Sequence, residues 1–411
     1  MNQETEVREY NNVQSISELI PVWEDLLSSC PEVTIFSTWE WLSSWWTAYG
    51  ANRKLMLLVI PDSEGKLLAL APLIYGRNSV APALTLKEIR LLGDGSDDSD
   101  NLALIIRPGY EEKALLLLLK YLKIHANSWD ICRFNTMDTE STGVKYLLQA
   151  LRHHQWPILT SYVPWSVISL PVTWDLYLKS LSSKERGKIG IRTRRLEKKY
   201  SVNYFKCTRV EELPRCLDAL FEIHAKRWSL QGEAGSFASP ERQIFYREIA
   251  TKFLHRGWLE FWVLEIEGKI VACLFGFRYG QTVYSLQEGF DPEYYSDSVG
   301  YVLRGHVLKR SIEEGLRRYD FLAGRDPSKE RWGADVGSYV NVDFARSMSF
   351  GSLYLNSKKR SLDTKEWLRQ VMPEKTWSYM RNINLKLHGK ASPKGAIGNG
   401  EKGKNQSAEE N

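Results

Sequence analysis

Apolar and polar positions along the chain switch repeatedly between two periods, and that switching outlines the elements. Residues 13–30 and 38–49 carry apolar side chains at helical spacing, and the second stretch is crowded with aromatics. Two apolar runs, 55–60 and 66–76, flank the turn formers Asp62, Ser63 and Gly65 and predict a hairpin. A strand near 87–92 follows, then an acidic loop through 93–101. Residues 109–127 predict a helix, 129–134 a short buried strand, 144–155 a helix, and 157–170 one or two strands.

The second half opens on a strongly basic helix, 183–200, and a strand at 202–206. Helix 211–230 places Leu213, Leu217, Leu220, Phe221, His224 and Trp228 on one stripe. A helix over 240–255 leads into three runs in close order, 259–266, 269–279 and 282–290. The turns at Gly268 and Gly280 make them an antiparallel meander. A helix from about 300 ends at Gly315, and 318–324 reads as a strand. Residues 338–346 and 350–356 read as closing strands, 364–388 as helical, and 389–411, all Gly, Lys, Ser, Asn and Glu in character, as disordered.

Composition narrows the class. At 411 residues, 43% hydrophobic and 26% charged, the chain is globular and long enough for two domains. The net charge of +5 is mild and spread out, so it gives no argument for DNA. Five cysteines with wide spacings and no Cys-x-x-Cys predict free thiols and neither a disulfide framework nor a metal site. The first dozen residues are polar and acidic, unlike a secretory leader. The longest apolar run, Ala114–Leu119, is far short of the roughly 20 residues that cross a bilayer, so a cytoplasmic protein is expected. Fifteen Trp and twenty Tyr suit either a bulky core or a cleft for flat or sugar-like ligands.

The two halves repeat one order of helices, hairpin, strand, helix and strands. Gly109-Tyr110 opens a helix leading to Asp130, and Gly300-Tyr301 opens one leading to Asp320. A glycine at a helix start lets amide groups approach a ligand, and the first helical turn carries free N–H donors and positive potential. That is a pyrophosphate site without any special side chain.

The run 224–228 (HAKRW), the hairpin around Gly268, residues 287–303 (QEGFDPEYYSDSVGYVL) and 319–332 (YDFLAGRDPSKERW) resemble the acetyltransferase domain of the cellulose-biosynthesis (CelD/BcsL-like) family. That family is related to the FemAB-type transferases and has the GNAT acyltransferase fold. The resemblance covers about residues 170–345 and, more loosely, 36–76. It implies an α/β fold with a mixed sheet, a tandem GNAT-like architecture and a degenerate N-terminal copy. The boundaries expected are 1–170 for that copy, 171–350 for the acetyltransferase domain, 351–388 for a helical extension and 389–411 for a tail.

The resemblance further implies acetyl-coenzyme A or another acyl-coenzyme A as co-substrate, no metal, and a sugar or polysaccharide precursor as acceptor. Its donor contacts would be Gln287, Ser298, Val299, Gly300, Tyr301, Val302 and Leu303. The aromatic that the family commonly has before Lys329 is Ser328 here. Acyl transfer needs a proton acceptor and oxyanion donors, and Glu288, His224 and Asp320 are the candidates for catalysis. Each also has a plainer role: Glu288 as a surface carboxylate, His224 as a core histidine, Asp320 as a support for the loop after 324. Trp228, Asp326 and Lys329 are candidate acceptor contacts. The basic helix is a solvated face, a phosphate contact, or a tRNA contact if the donor is an aminoacyl-tRNA. RNA stacking has no aromatic interleaving to support it. A non-catalytic part in a polysaccharide synthesis complex is the remaining alternative.

Overall fold

The computed structural model describes residues 6–82, 84–96, 98–230 and 232–371. The first half comprises β1 (Arg8–Tyr10), α1 (Ile20–Ser29), α2 (Trp39–Tyr49), β2 (Lys54–Pro61), β3 (Leu67–Ala81), β4 (Leu84–Leu91) and β5 (Ile105–Ile106). It continues through α3 (Glu111–Ile124), β6 (Ile131–Asp138), α4 (Thr142–His153) and β7 (Ile158–Ser169). The second half adds α5 (Trp174–Ser180), α6 (Ser183–Lys199), β8 (Val202–Lys206), α7 (Leu213–Ser229), α8 (Pro240–His255), β9 (Leu259–Ile266), β10 (Lys269–Tyr279) and β11 (Thr282–Phe290). Then come α9 (Val299–Glu313), β12 (Arg318–Ala323), α10 (Pro327–Glu330), β13 (Asp335–Phe344) and α11 (Phe350–Val371).

The strands form one mixed sheet in the order β1-β2-β3-β4-β6-β13-β7-β12-β11-β10-β9-β8, with β5 beside β3. Each half contributes an antiparallel meander, β2–β3–β4 or β9–β10–β11, followed by one parallel pairing, β4 with β6 or β11 with β12. The last strand of each half crosses over. β7 pairs with β12, β13 pairs with β6, and β7 and β13 pair with each other from Asp335↔Val167 to Phe344↔Ile158. Residues up to Leu355 therefore form one compact unit, and the expected boundary at 170/171 falls inside it.

One core layer joins α1, α2, α7 and α8 to residues such as Phe261, Phe275, Phe277 and Tyr284. The opposite face of the second half carries α5, α6 and α9 over Leu264, Leu274, Val283 and Tyr319. Alternation of side chains along each strand sends odd and even positions to the two layers. Much of the aromatic excess is core: Trp23, Trp41, Trp45, Trp129 and Trp332 are fully buried. Indole N–H groups need partners when buried, and Trp41 and Trp45 donate to Ser99 and Ser96 at 2.9 Å each.

Those two serines belong to the acidic loop, which is a brace rather than a solvated turn. Asp98 is buried and ion-paired with Arg242 of α8, and it accepts from Tyr49 and Tyr246 at 3.1 Å each. Asp94 accepts from Asn135 at 3.0 Å, and Asp100 accepts the Ala323 amide at 2.9 Å. One loop of the first half thus grips α8 and β12 of the second.

Three expectations need correction. Residues 350–356 begin a helix, not a strand, because the Ser349 hydroxyl caps the Ser352 amide at 3.1 Å and the apolar alternation there is short. A helix at 174–180, started by the Thr173 side chain, was not foreseen. The paired dipeptides are out of step as well. Tyr110 precedes α3 while Tyr301 lies inside α9, and Asp130 precedes β6 while Asp320 is inside β12. It is the order of elements that repeats. The helix expected over 364–388 is present through Val371, and the remainder of it and the tail lie outside the described residues. All five cysteines are free and buried.

Removing one member of a buried ion pair strands the other. Asp98→Ala should cost about 3–5 kcal/mol in urea unfolding. A loss below about 1 kcal/mol would mean that the loop does not brace the halves.

Candidate functional site

The site begins where two parallel strands part. β11 and β12 pair only at Thr282↔Arg318, Val283↔Tyr319 and Tyr284↔Asp320, while β12 pairs with β7 on its other edge from Arg318 to Ala323. Leu322, at φ +60°, lies within that stretch. On the other edge of β11, Gly276 pairs with Ser285 and Phe275 with Gln287, so Leu286 is bulged and has no register partner on either side. A bulge leaves its extra residue out of the ladder. The bulge thus falls where β11 parts from β12. Gly276 permits this geometry, since a Cβ there would lie 2.2 Å from the Tyr284 carbonyl oxygen.

α9 starts beside the open end of β11. Ser298 sits at φ +58° and makes no side-chain cap, which leaves the first-turn amides without a side-chain acceptor. The Val302 amide already bonds Ser298 O at 3.0 Å, so the available donors are Val299, Gly300 and Tyr301, fewer than the expected 299–303. The side chains of Val299, Val302 and Leu303 are core. A Cβ on Gly300 would come within 3.2 Å of the Phe290 ring. Behind this turn, Lys199 of α6 neutralises the buried Asp297 at 2.9 Å, and Arg192 stacks 4.5 Å over Tyr301.

Inside the wedge, Glu288 and Arg304 form an ion pair, with the second guanidinium contact at 3.0 Å, and Ser285 donates to Glu288 at 3.1 Å. Burial would lower the Arg304 guanidinium, but Glu288 holds it above its ordinary value. Lys329 donates to the carbonyls of Phe321 and Gly324, each at 3.0 Å, and burial pushes its ammonium below the usual lysine value. Asp326 caps α10 through the Ser328 amide at 2.7 Å. Burial would raise Asp326, yet that bond and the nearby Lys329 and Arg304 charges keep it below the usual carboxylate range.

The candidates do not converge on one point. Glu288, Asp326 and Lys329 share the α9 side of the wedge and feel one another electrostatically. His224 lies in the other layer. It is buried, its Nε2 accepts from the Trp228 indole at 2.9 Å, and its Nδ1 has no partner among the described residues. Burial drops its pKa to about 4, so near neutrality it is uncharged with its lone pair engaged. Trp228 is held by this contact, half-buried. Asp320 is 5% exposed and also faces away from Glu288. It accepts the Leu322 amide at 2.7 Å, and neither Arg325 nor Lys329 pairs with it; Arg325 pairs with Glu330 instead. Gln287 follows the bulge, half-buried. Sequence reasoning missed Arg304, Asp100 and the Leu286 bulge. Arg304 was within reach, four residues after Gly300 and so on the same helix face.

Burial pushes Asp320 up to about 7, against the Leu322 amide bond. An ordinary aspartate ionises near 3.8, so between these values the folded chain holds a proton that the unfolded chain has lost. Stability is therefore lost as pH rises through this window, and the loss is complete above about 7. Asp320→Asn removes this dependence. Denaturant unfolding should show the variant gaining on the parent from pH 4 to pH 7, by up to about 4 kcal/mol. A pH-independent difference would contradict a neutral Asp320.

Among the described residues, no group of His, Cys, Asp and Glu could hold a metal ion, and no helix is long and apolar enough to cross a membrane. No curated protein matches the chain. The crystal structure of FemX superposes with a TM-score of 0.58 at 12% identity, covering 82% of this chain and 97% of FemX. A conserved protein of unknown function from Bacteroides thetaiotaomicron VPI-5482 superposes with a TM-score of 0.54 at 13% identity, covering 82% of this chain and 99% of the other. Likeness at such identity speaks to the fold. In sequence, residues 183–330 match the family model described as an acetyltransferase (GNAT) domain. In this mixed α/β chain, the segment that contains most of the β11–β12 wedge is thus similar to a GNAT-type acetyltransferase domain.

Proposed function

We propose that the chain is an acyl-coenzyme A-dependent N- or O-acyltransferase, with acetyl-coenzyme A as donor. The observation that carries this reading is the wedge itself: a bulge at Leu286 between parting strands, next to a helix start at Ser298 that has no side-chain cap. Free N–H groups at a helix start suit a pyrophosphate. Asp297, which would repel it, is neutralised by Lys199 and Tyr200. Such a donor supplies an acyl group already activated as a thioester. The backbone of β11 at the Leu286 bulge would supply an N–H donor to its carbonyl oxygen, where negative charge grows during attack. Glu288, fixed by Arg304 and Ser285, is the group to take the acceptor's proton, with Lys329 and Asp326 as acceptor contacts at the mouth. His224 serves by holding Trp228. The resemblance to the cellulose-biosynthesis family supports a sugar or polysaccharide precursor as acceptor and a link to exopolysaccharide synthesis.

A second reading has one observation in its favour. Lys184, Arg186, Arg194, Arg195 and Lys198 leave an exposed basic face on α6, and the fold is shared with FemX. An aminoacyl-tRNA donor would use such a face, and its binding would weaken steeply with salt.

Calorimetry separates the two. On the first reading, acetyl-coenzyme A binds in a one-to-one ratio, and Gly300→Trp lowers its affinity at least tenfold by filling the space before Phe290. Glu288→Gln should leave that affinity within about twofold while lowering turnover by roughly 10²–10⁴. Absence of heat with acetyl-coenzyme A and longer acyl forms, together with salt-sensitive RNA binding, would replace the first reading by the second.

A further inference from the structure

The N-terminal half has its own parting of strands, but it is closed to an anion. β4 and β6 pair from Glu88↔Ile131 to Arg90↔Arg133 and then separate. Glu88, Arg90 and Arg133 fill that place with ion pairs at 2.8 and 3.1 Å. The first turn of α3, the counterpart of α9, carries Glu111 and Glu112, whose charges repel an anion, and the Glu111 carboxylate accepts the Gly109 amide at 2.8 Å.

What remains there is a two-part cavity of different chemistry. A pouch of about 140 Å³ is walled by Val33, Leu102, Leu104, Ile106, Met137 and Leu147. It adjoins a vestibule of about 420 Å³ between the halves, and the two share a rim formed by 30–33, Asn101, Asp138 and Ser141. The vestibule is walled by Glu32, Asp138, Glu140, Tyr284 and Asp320. Among the described residues the linings hold one cation, the exposed Arg318, although the chain as a whole has a net charge of +5.

Some of these carboxylates have structural work. Glu32 accepts the Thr142 amide at 3.0 Å and so caps α4, and Asp138 accepts the Glu140 amide at 2.9 Å. Asp320 differs. It is 5% exposed, its Oδ1 takes the Leu322 amide, and it makes no other hydrogen bond among the described residues. A buried carboxylate with an open oxygen on a cavity wall is costly unless something fills it. The ready solution is a cation.

We infer that this cavity binds a primary amine bearing a hydrocarbon chain, with its ammonium on Asp320 and its chain in the pouch between Leu102 and Leu147. An ammonium on the open oxygen forms a charge-assisted hydrogen bond in a dry setting. The apolar pouch selects for chain length. The site stands apart from the donor reading, because it uses the opposite face of β12 from Glu288 and needs no thioester.

The test is calorimetry on the full chain at pH 8 with hexylamine, ethylamine and hexanoate. Hexylamine should bind in a one-to-one ratio, each methylene removed should weaken binding about fourfold, and hexanoate should give no heat. Asp320→Asn, which keeps the side-chain shape, should weaken hexylamine at least tenfold. Val33→Lys, which places a cation on the shared rim, should do the same should the first variant misfold. A cooperative thermal transition at or above that of the parent identifies a folded variant, and acetyl-coenzyme A titrated separately reads the other site. Absence of hexylamine binding at millimolar concentration, equal binding of hexanoate, or full affinity in folded Asp320→Asn would overturn the inference.

Discussion

The wedge exists because a strand has only two edges. β12 takes β11 on one edge for three residues and β7 on the other, and its register then slips between Asp320 and Ala323, where Leu322 adopts a left-handed backbone. From that point β12 follows β7. β11 is left with an unpaired edge and a bulge at Leu286. An unpaired backbone edge next to a helix start is a poor thing to leave empty, since buried amides seek partners. The crossing of β7 into the second half is therefore what holds the proposed donor space open. It also explains why the two halves form one unit up to Leu355.

The same crossing makes the halves structurally alike and chemically unlike. Each has a meander, a parallel pairing and a helix following the part. In the second half the helix start is uncapped, and cations of α6 lie behind it. In the first, Glu111 and Glu112 put negative charge in the first helical turn and an Arg–Glu network closes the strand gap. A buried network of this sort contributes little net stability against apolar packing, but removing one charge from it is expensive. The acidic loop, whose Asp98 grips Arg242 and whose Asp100 grips the Ala323 amide, lies where the second half has its loop before α9. One half turns this loop outward as a candidate ligand contact, and the other uses it as a strut.

Local signals carried most of the architecture. The meander 259–290 was legible because its apolar runs, Gly268 and Gly280 lie close in sequence. The basic α6 and the stripe of α7 were legible for the same reason. What sequence did not show is non-local. Nothing near Asp98 announces a partner 144 positions away. Nothing in residues 282–290 announces a bulge, which depends on the register of β10. The closing stretch 350–356 reads as a short strand, and the Ser349 cap makes it a first helical turn instead. For the candidate site, the expected Glu288, Gly300, Asp326 and Lys329 lie around the wedge because their elements are neighbours in sequence. His224 and Asp320 were grouped with them because both lie in the runs that carry the family resemblance, 224–228 and 319–332.

That separation has a consequence for mechanism. Successive strand residues face opposite sides, and Glu288 meets Arg304 on the α9 side while Asp320 lines the space between the halves. A proton held by Asp320 has no direct route to an acceptor beside Glu288, because Tyr319 and Phe321, its two neighbours in β12, are core residues of the α9 layer. One carboxylate, constrained by an arginine and open to the wedge, suits proton transfer on that side. The other, pushed up to about 7 by burial and bonded to a single amide, suits a charge that arrives from outside. A chain with one carboxylate facing the wedge and a second on the opposite face fits two ligands better than one, and the strand crossing that opens the wedge is also what separates them.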